Sequence, residues 1–591
     1  MQYDELKGKS GLGLRYTELI LDVKNSTSFR TLHLLSHQKV YQAENSTSII
    51  YIIGRPRPYG QDYPASKNMQ WLLEHTYTDA SSFVSTIAGY FLLILINKTD
   101  GSIEVINDHV GSIPCYVDQR DSKVLRISDS LAALQPSVNN TSINPQAAFN
   151  YIFYHCIPSP ICLYRGICKL EPGVIVSFDN AGTLQQYNYY QPDFSPSNDT
   201  PEQLMQRCRQ LISEAVRRNI TDHCAAFLSG GLDSSTVAGM LAKHSQLALT
   251  YSIGFDAKGY DETEYALITA KHFGTTHKVH YLQPEEIQQH FAEVAGYFNE
   301  PFGNSSAMAA YMCAKTAKTD GIKVLLAGDG GDEIFAGNER YVKQKVFEHY
   351  SALPSPLQAL LNLGLNNGLA DKIPFLKKGS SYIRQAKVPL PDRLDSYNFV
   401  NHFDITQMFS AEFLQQIDVN YPAEQKRRRY HACPSADVVD KMMYLDWKFT
   451  LADNDLVKVS QMCQLAGVEV RFPLFEKELV DFSCSVPASL KAPGQSLRDF
   501  YKHSFRGFLP DATLTKSKHG FGLPFGVWLK QNPELKQLAL TALQQFKERN
   551  ILQPNFIDQA IDTFENGHSG YYGELVWIIV VLELWLQKNA E

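Results

Sequence analysis

Phe227-Leu228-Ser229-Gly230-Gly231-Leu232-Asp233-Ser234-Ser235 is the stretch on which the fold of this chain turns. The apolar run Ala225-Ala226-Phe227-Leu228 leads into it, and a helix-like run, Thr236 to His244, follows. That order reads as strand, glycine turn and helix N-terminus. Two glycines let consecutive N–H groups converge on one point, and the helix dipole adds positive potential there. The hydroxyls of Ser229, Ser234 and Ser235 are expected to donate to the same anion, so the turn is shaped for phosphate. It lacks the Gly-Lys-Ser/Thr of the commoner phosphate loop and offers a carboxylate, Asp233, in its place. A carboxylate beside phosphates makes sense when a divalent cation lies between them. The competing reading is an ordinary Gly-Gly turn with an Asp or Ser helix cap.

Around this stretch the pattern alternates. Strand-like runs at Ala225–Leu228, Leu247–Ile253, Lys278–Leu282 and Lys323–Ala327 are separated by helical patterns, which argues for a parallel sheet with helices on its faces. Ligands of such sheets sit outside the carboxyl ends of the strands. The loops at Ser229, Ile253 and Ala327 should therefore share one cleft. From Arg340 onward the pattern is largely helical. Residues before about 190 hold short β-like runs instead, at Ser48–Ile53, Phe91–Ile96 and Gly173–Phe178, punctuated by turn residues. The polar, proline-bearing stretch 195–201 reads as a linker, and Leu204, Cys208, Leu211, Ala215 and Val216 then mark one face of a helix. The expected division is 1–194, a linker at 195–201, and 202–591, the last made of an α/β core at 202–340 and a helical part at 341–591.

A chain of 591 residues, 44% hydrophobic and 20% charged, has ample core for two or more soluble domains. Its net charge of -7 argues against nucleic acid as a partner. Lys426-Arg427-Arg428-Arg429 is the one compact basic cluster, read as a solvated face or a contact for an anion. Ten scattered cysteines without a C-x-x-C pair argue against structural zinc and a disulfide framework. No basic segment with an apolar core opens the chain, and the apolar stretch Leu575 to Leu586 is too short to span a bilayer and reads as a buried helix. The expectation is a cytoplasmic protein with no membrane partner.

Four segments resemble the asparagine synthetase family, in the family's order. Ser229-Gly230-Gly231-Leu232-Asp233-Ser234-Ser235 is similar to its pyrophosphatase loop. Leu325-Leu326-Ala327-Gly328-Asp329-Gly330-Gly331-Asp332-Glu333-Ile334-Phe335-Ala336-Gly337, Gly467-Val468-Glu469-Val470-Arg471-Phe472-Pro473-Leu474 and Lys518-His519-Gly520-Phe521-Gly522-Leu523-Pro524 are similar to three others. The resemblance implies an α/β fold: a PP-loop ATP-binding sheet with a helical extension, preceded by a β-rich sandwich of the Ntn-glutaminase type. It implies ATP cleaved between its α- and β-phosphates and held by Leu228, Ile253, Ala327 and Gly328 besides the loop residues Ser229, Gly230, Gly231, Asp233, Ser234 and Ser235. It also implies Mg²⁺ on Asp233 and Asp332, Asp329 in acyl-adenylate formation, and Lys518 as a clamp for developing charge. Structural alternatives stand beside these: an acidic helix start at Asp332-Glu333, a turn aspartate at Asp329, a solvated loop lysine at Lys518. The β-lactam synthetase branch places a tyrosine at the Asp329 position, so the chain departs from it there. Lys458-Val459-Ser460-Gln461 departs from the family's usual K-V-D-R. Asp261 and Glu264 are read as a capping box, and His277 as a hydrogen-bonded structural histidine.

The resemblance extends to the N-terminal part, through Asn107 to Tyr116 and Leu170-Glu171-Pro172-Gly173. There it implies a glutaminase whose nucleophile is a cysteine directly after the initiator methionine. Position 2 is Gln2, the first cysteine is Cys115, and the glutamine-binding element is replaced by Gly54-Arg55-Pro56-Arg57-Pro58. Asp108 still matches a glutamine-binding aspartate. The expected domain is thus a degenerate glutaminase kept as a scaffold. The expected activity is an ATP-dependent, AMP-forming ligase that adenylates a carboxylate of the aspartate or glutamate type. Its nitrogen comes either from a substrate amine, as in the lasso-peptide macrolactam cyclases with their precursor peptide and processing protease, or from ammonia, giving asparagine. A PP-loop tRNA-modifying enzyme and an inert scaffold are the readings from other classes; the acidic charge weighs against the first, and intact Asp233, Asp332 and Lys518 against the second.

Overall fold

In a computed structural model, the residues described are 3–9, 15–22, 31–64, 69–74, 80–121, 123–134, 143–179, 183–256, 261–351, 353–365, 374–517, 523–566 and 569–590. The N-terminal part is a sandwich of two six-stranded sheets. The run Ile49-Ile50-Tyr51-Ile52-Ile53 shows how it is built. Side chains alternate across a strand, so Ile49, Tyr51 and Ile53 enter the core between the sheets with Leu21, Leu32, Leu34 and Ile127. Ile50 and Ile52 face the other way, against Leu72, Phe83 and Val84 of two short helices. Both faces are covered, which is why the run is apolar throughout rather than alternating.

The second part begins with the helix Pro201–Asn219, started by a capping box in which Thr200 and Gln203 exchange side-chain and backbone hydrogen bonds. Its face of Leu204, Cys208, Leu211, Ile212, Ala215 and Val216 is buried. The sheet that follows is parallel throughout, with strands in the order Thr276–Leu282, Leu249–Phe255, Cys224–Phe227, Val324–Leu326 and Glu469–Arg471. Four of the five match strand-like runs in the sequence. The fifth, Glu469–Arg471, lies inside a motif that the sequence pattern left unassigned. The strand Cys224–Phe227 has the second strand on one side and the fourth on the other, which makes that junction the switch point where an open α/β sheet binds ligands. The helix after it runs Leu232–His244, starting four residues before the expected Thr236, so the glycine turn sits directly at its N-terminus. The helix Ser569–Asn589 is buried over Leu575–Leu582 as expected; its Glu583, 1% exposed, is held by Arg549 at 3.0 Å. No described helix is long and apolar enough to cross a membrane.

Buried ion pairs join the two parts. Arg57, in the segment Gly54-Arg55-Pro56-Arg57-Pro58, is fully buried; it donates to Glu476 at 2.5 Å and to both oxygens of Glu478 at 2.6 and 2.5 Å. Lys169 pairs with Glu300 at 2.6 Å. The basic cluster is a solvated face only in part: Arg427 and Arg428 are exposed, whereas Arg429 is 5% exposed and pairs with Asp453 at 2.8 Å and Glu171 at 3.2 Å; Lys426 and Arg427 pair with Asp395 and Asp392. A guanidinium that donates in several directions at once suits such a junction.

Candidate active site

The two loops that flank the switch point aim their carboxylates at each other. Asp233 lies in the first turn of the helix after the first strand, and Asp332 in the short helix Gly331–Ile334 after the fourth. Arg498 lies between them, its Nη1 donating to Asp233 at 2.6 Å and to Asp332 at 2.7 Å, with Nη2 on the other Asp233 oxygen. The loops approach closely enough that a Cβ on Gly331 would stand 2.0 Å from Asp233 Oδ1, so only glycine fits there. Gly330 has φ +101°, and a Cβ on it would stand 2.5 Å from the ring of Phe475. Side chains cannot replace either without moving a carboxylate or an aromatic ring.

These loops line a cleft of about 770 Å³. Of the expected ATP-binding residues, Leu228, Ser229, Gly231, Asp233, Ser234, Ile253 and Gly328 line it, and so do Asp329 and Asp332. Gly230, Ser235 and Ala327 do not. Gly230, with φ +71°, shapes the turn. The Ser235 hydroxyl is buried and shares a hydrogen bond with Thr269 at 3.1 Å, itself 3.1 Å from Thr513. The expectation that Ser235 donates to the anion is therefore corrected: one residue further into the helix, its side chain turns to the core. Ala327 is buried, with its N–H on Arg471 O at 2.9 Å. Ser229 and Ser234 hydroxyls lie 3.0 Å apart at the mouth of the turn. Lys518 lies outside the described residues; Lys516, two positions earlier, lines the cleft and pairs with Glu262 at 2.9 Å.

Deeper in the cleft, Asp329 and Glu333 of the second motif meet Asp455 and Lys458 of the helical region. Lys458 pairs with Asp455 at 2.7 Å. Burial pushes the Lys458 ammonium down, but Asp455, Asp329 and Glu333 around it outweigh that and raise its pKa. Burial pushes the Asp329 carboxyl up to about 6, only partly opposed by Lys458. Glu333, enclosed beside Asp332, Asp455 and Asp446, is held well above the usual carboxylate range, first by burial and then by those neighbours. Strongly shifted carboxyls in a cleft mark a reactive site. Arg498 and Asp455 were missed from the sequence because they come from the helical region, where spacing alone does not reveal which face meets the sheet.

Other expectations resolve locally. Asp261 accepts from Thr263 Oγ1 at 2.9 Å, but the helix starts after Glu262 without a side-chain cap, so no capping box with Glu264 forms. His277 hydrogen-bonds Thr250 at 2.9 Å and Ser252 at 3.2 Å, a structural role. Asp108 is buried and accepts from the N–H groups of Phe91 and Val110 at 2.9 Å, from that of Ser112 at 3.2 Å, and from the Ser112 hydroxyl, so its carboxylate is occupied by its own loop and the strand Ile87–Asn97.

Comparison with known proteins agrees with this layout. A family profile described as asparagine synthase matches residues 207–587, and one described as a glutamine amidotransferase domain matches residues 63–190. Asparagine synthetase (glutamine-hydrolyzing) 1 of Bacillus subtilis is 23% identical over 516 residues, covering 86% of this chain and 78% of that protein. Amidase chry2 of Gibberella zeae is 22% identical over 499 residues, covering 76% and 71%. Asparagine synthetase (glutamine-hydrolyzing) 2 of rice, Oryza sativa subsp. japonica, is 25% identical over 348 residues, covering 56% and 52%.

Proposed function

This chain belongs to the asparagine synthase family, and from that premise we propose that it adenylates a substrate carboxylate, releases pyrophosphate, and passes the acyl group to an amine. ATP-dependent amide formation is the family's chemistry; the AMP-forming course, the metal and the amine are our reading. The observation that carries it is the pair Asp233 and Asp332, set on opposite sides of the switch point around a single cationic group. Two carboxylates that already share a guanidinium fit a divalent cation between them. Mg²⁺ held there would neutralise charge on the departing pyrophosphate.

The chain's own residues supply the rest. The turn at Ser229–Gly231 presents N–H groups and hydroxyls to phosphate at a helix N-terminus. Arg498, once relieved of the two carboxylates, becomes a bidentate phosphate donor. Asp329, with its carboxyl near 6, is ionised above that pH and lies beside the Lys458 ammonium, where the acid and the α-phosphorus meet. Lys518 remains our candidate for stabilising developing charge. We place the glutaminase-like domain at 1–194 and the ligase at 202–591.

We assign the nitrogen to a substrate amine rather than to glutamine. The thiols of Cys115, Cys156, Cys162 and Cys168 are all pushed up by burial, which disfavours the thiolate a glutaminase needs. Asp108 and Arg57 serve the fold and the domain junction instead of a ligand. An amine bound beside the adenylate gains effective concentration that dilute ammonia lacks. The names of two relatives favour a second reading, asparagine formation from aspartate. ATP–pyrophosphate exchange, screened over aspartate, amino-acid derivatives and short peptides, tests both. Asp233→Asn should abolish exchange while the protein stays folded, and unchanged exchange in that variant refutes the assignment.

A further inference from the structure

A nine-residue π-helical segment, Trp447–Asp455, separates the cleft from a second cavity of about 350 Å³. Such segments are rare and recur at functional sites. Leu451 and Asp455 face the cleft, whereas Phe449 and Thr450 face the cavity. The opposite wall is shared in the same way, since Glu339 lines the cleft and Arg340 the cavity. The two spaces are thus one residue apart at two places, and Glu333 of the cleft acts electrostatically on both Arg340 and Asp446 of the cavity.

The cavity wall is aromatic and acidic. Phe153, Tyr154, Phe399 and Phe449 supply the rings. Its carboxylates are Asp395, Asp446 and Glu574, against two permanent cations, Arg340 and Lys426. Each of these cations already has a partner, Arg340 with Asp446 at 2.6 Å and Lys426 with Asp395. Glu574, with a side chain 67% exposed, meets only His155 at 3.6 Å among the cavity's described groups, and burial pushes that imidazole toward its neutral form. The balance of the lining charges is one negative in excess, set in a largely aromatic wall.

We propose that this cavity seats the nitrogen nucleophile of the reaction, as a primary amine carried on an aromatic or similarly apolar body. The proposal rests on the amine-capturing reading above. A space of about 350 Å³ is roughly ten times what a water-sized molecule such as ammonia needs, and lies within the range of organic-ligand pockets. The ammonium is drawn in by the excess carboxylate and loses one proton to solvent to become nucleophilic. Arg340 Nη2 donates to Thr450 Oγ1 at 3.4 Å across the wall between the two spaces, and the nitrogen reaches the cleft when this long hydrogen bond parts. There the C–N bond to the acyl carbon forms, the C–O bond to AMP breaks with its electron pair leaving on AMP, and the second amine proton goes to solvent.

The test uses the full chain and phenethylamine. Saturation-transfer NMR should show phenethylamine binding at least tenfold more tightly than phenethyl alcohol, its uncharged counterpart. Thr450→Trp, which fills the cavity, should lower phenethylamine affinity tenfold or more. Glu574→Gln, at an exposed position that tolerates change, should bring the amine and alcohol affinities together. With any acid that supports pyrophosphate exchange, Thr450→Trp should lower the ratio of phenethylamide to hydroxamate formed in competition with hydroxylamine by tenfold. Equal binding of amine and alcohol to the native protein, or undiminished amine binding in both variants, overturns the proposal. Absence of exchange with every acid would overturn the ligase reading instead, a separate outcome from the binding result.

Discussion

Replacing Arg498 by Gln should make the ligand-free protein a better, not a poorer, binder of divalent cations. Arg498 is 4% exposed and contacts Asp233 at 2.6 Å and Asp332 at 2.7 Å. A cation that takes up both carboxylates must first displace the guanidinium. A unit-charge pair near 4 Å is worth about 4 kcal/mol at an effective dielectric of 20. Solvent reaches Asp332, whose side chain is 29% exposed, and to a lesser degree Asp233 at 18%, and desolvation offsets part of the attraction. A net opposition of about 2 kcal/mol remains, equivalent to roughly 30-fold in affinity. Electron paramagnetic resonance of Mn²⁺ titrated into the nucleotide-free proteins reads that factor directly. Arg498→Gln should bind Mn²⁺ about 30-fold more tightly than the native protein. It should bind Mg-ATP less tightly, because a bidentate phosphate donor is gone. Equal Mn²⁺ affinity in the two proteins would show that the guanidinium does not occupy the cation's place, and the twin-aspartate argument would fall with it.

The carboxyl of Asp329 binds its proton more tightly in the fold, near pH 6, than in the unfolded chain, near pH 4. Between those values the native state holds more protons, so stability falls as pH rises; Asp329→Asn should therefore gain thermal stability relative to the native protein at pH 8 and about half of that gain at pH 5, and a gain independent of pH would contradict the assignment. Arg57→Met should cost about 3–5 kcal/mol, because it leaves Glu476, 1% exposed, beside Glu478 without its cationic partner. Denaturant unfolding measures the loss, and a cost under about 1 kcal/mol would mean that the junction between the two parts does not depend on this pair.

How far the sequence reaches depends on whether a residue's partner is local. Ser229 to Asp233 shape their own turn, so strand, glycine bend and helix could all be placed from nine residues. The same holds for Gly328 to Asp332 and for the four strands of the sheet that come before residue 330. The fifth strand, Glu469–Arg471, has three residues and exists because it pairs with Val324–Leu326, a contact more than a hundred residues away in the chain. Arg498 presents no local pattern either, since its αL backbone and its two carboxylate partners are fixed by tertiary packing. Arg429 shows the converse error. A run of four basic residues looks solvated, yet the helix turns Arg429 inward to Asp453 and Glu171, because helical period rather than composition selects which member of a run is buried. Ser235 failed for the same reason on a smaller scale.

The glutaminase-like domain also reaches the loop that bears Asp329 and Asp332 through packing. His109 donates from Nε2 to Phe475 O at 2.9 Å, its burial having pushed the imidazole to about 3, so it is neutral at any working pH. Its ring lies parallel to that of Phe475, with centroids 6.1 Å apart. Phe475, fully buried, is the side chain that closes over Gly330, between Asp329 and Asp332. Tyr90 holds Phe472 O at 2.5 Å, and Arg57 holds Glu476 and Glu478, so the segment beneath the loop is fixed from the N-terminal side on both flanks of Phe475. A close-packed interior transmits such constraints because neighbours cannot shift without opening a void. The domain's part in the fold therefore does not depend on glutamine chemistry. Its groups fix the ring on which the Gly330 turn rests, and that turn sets the separation of Asp332 from Asp233 on which the proposed phosphate chemistry depends.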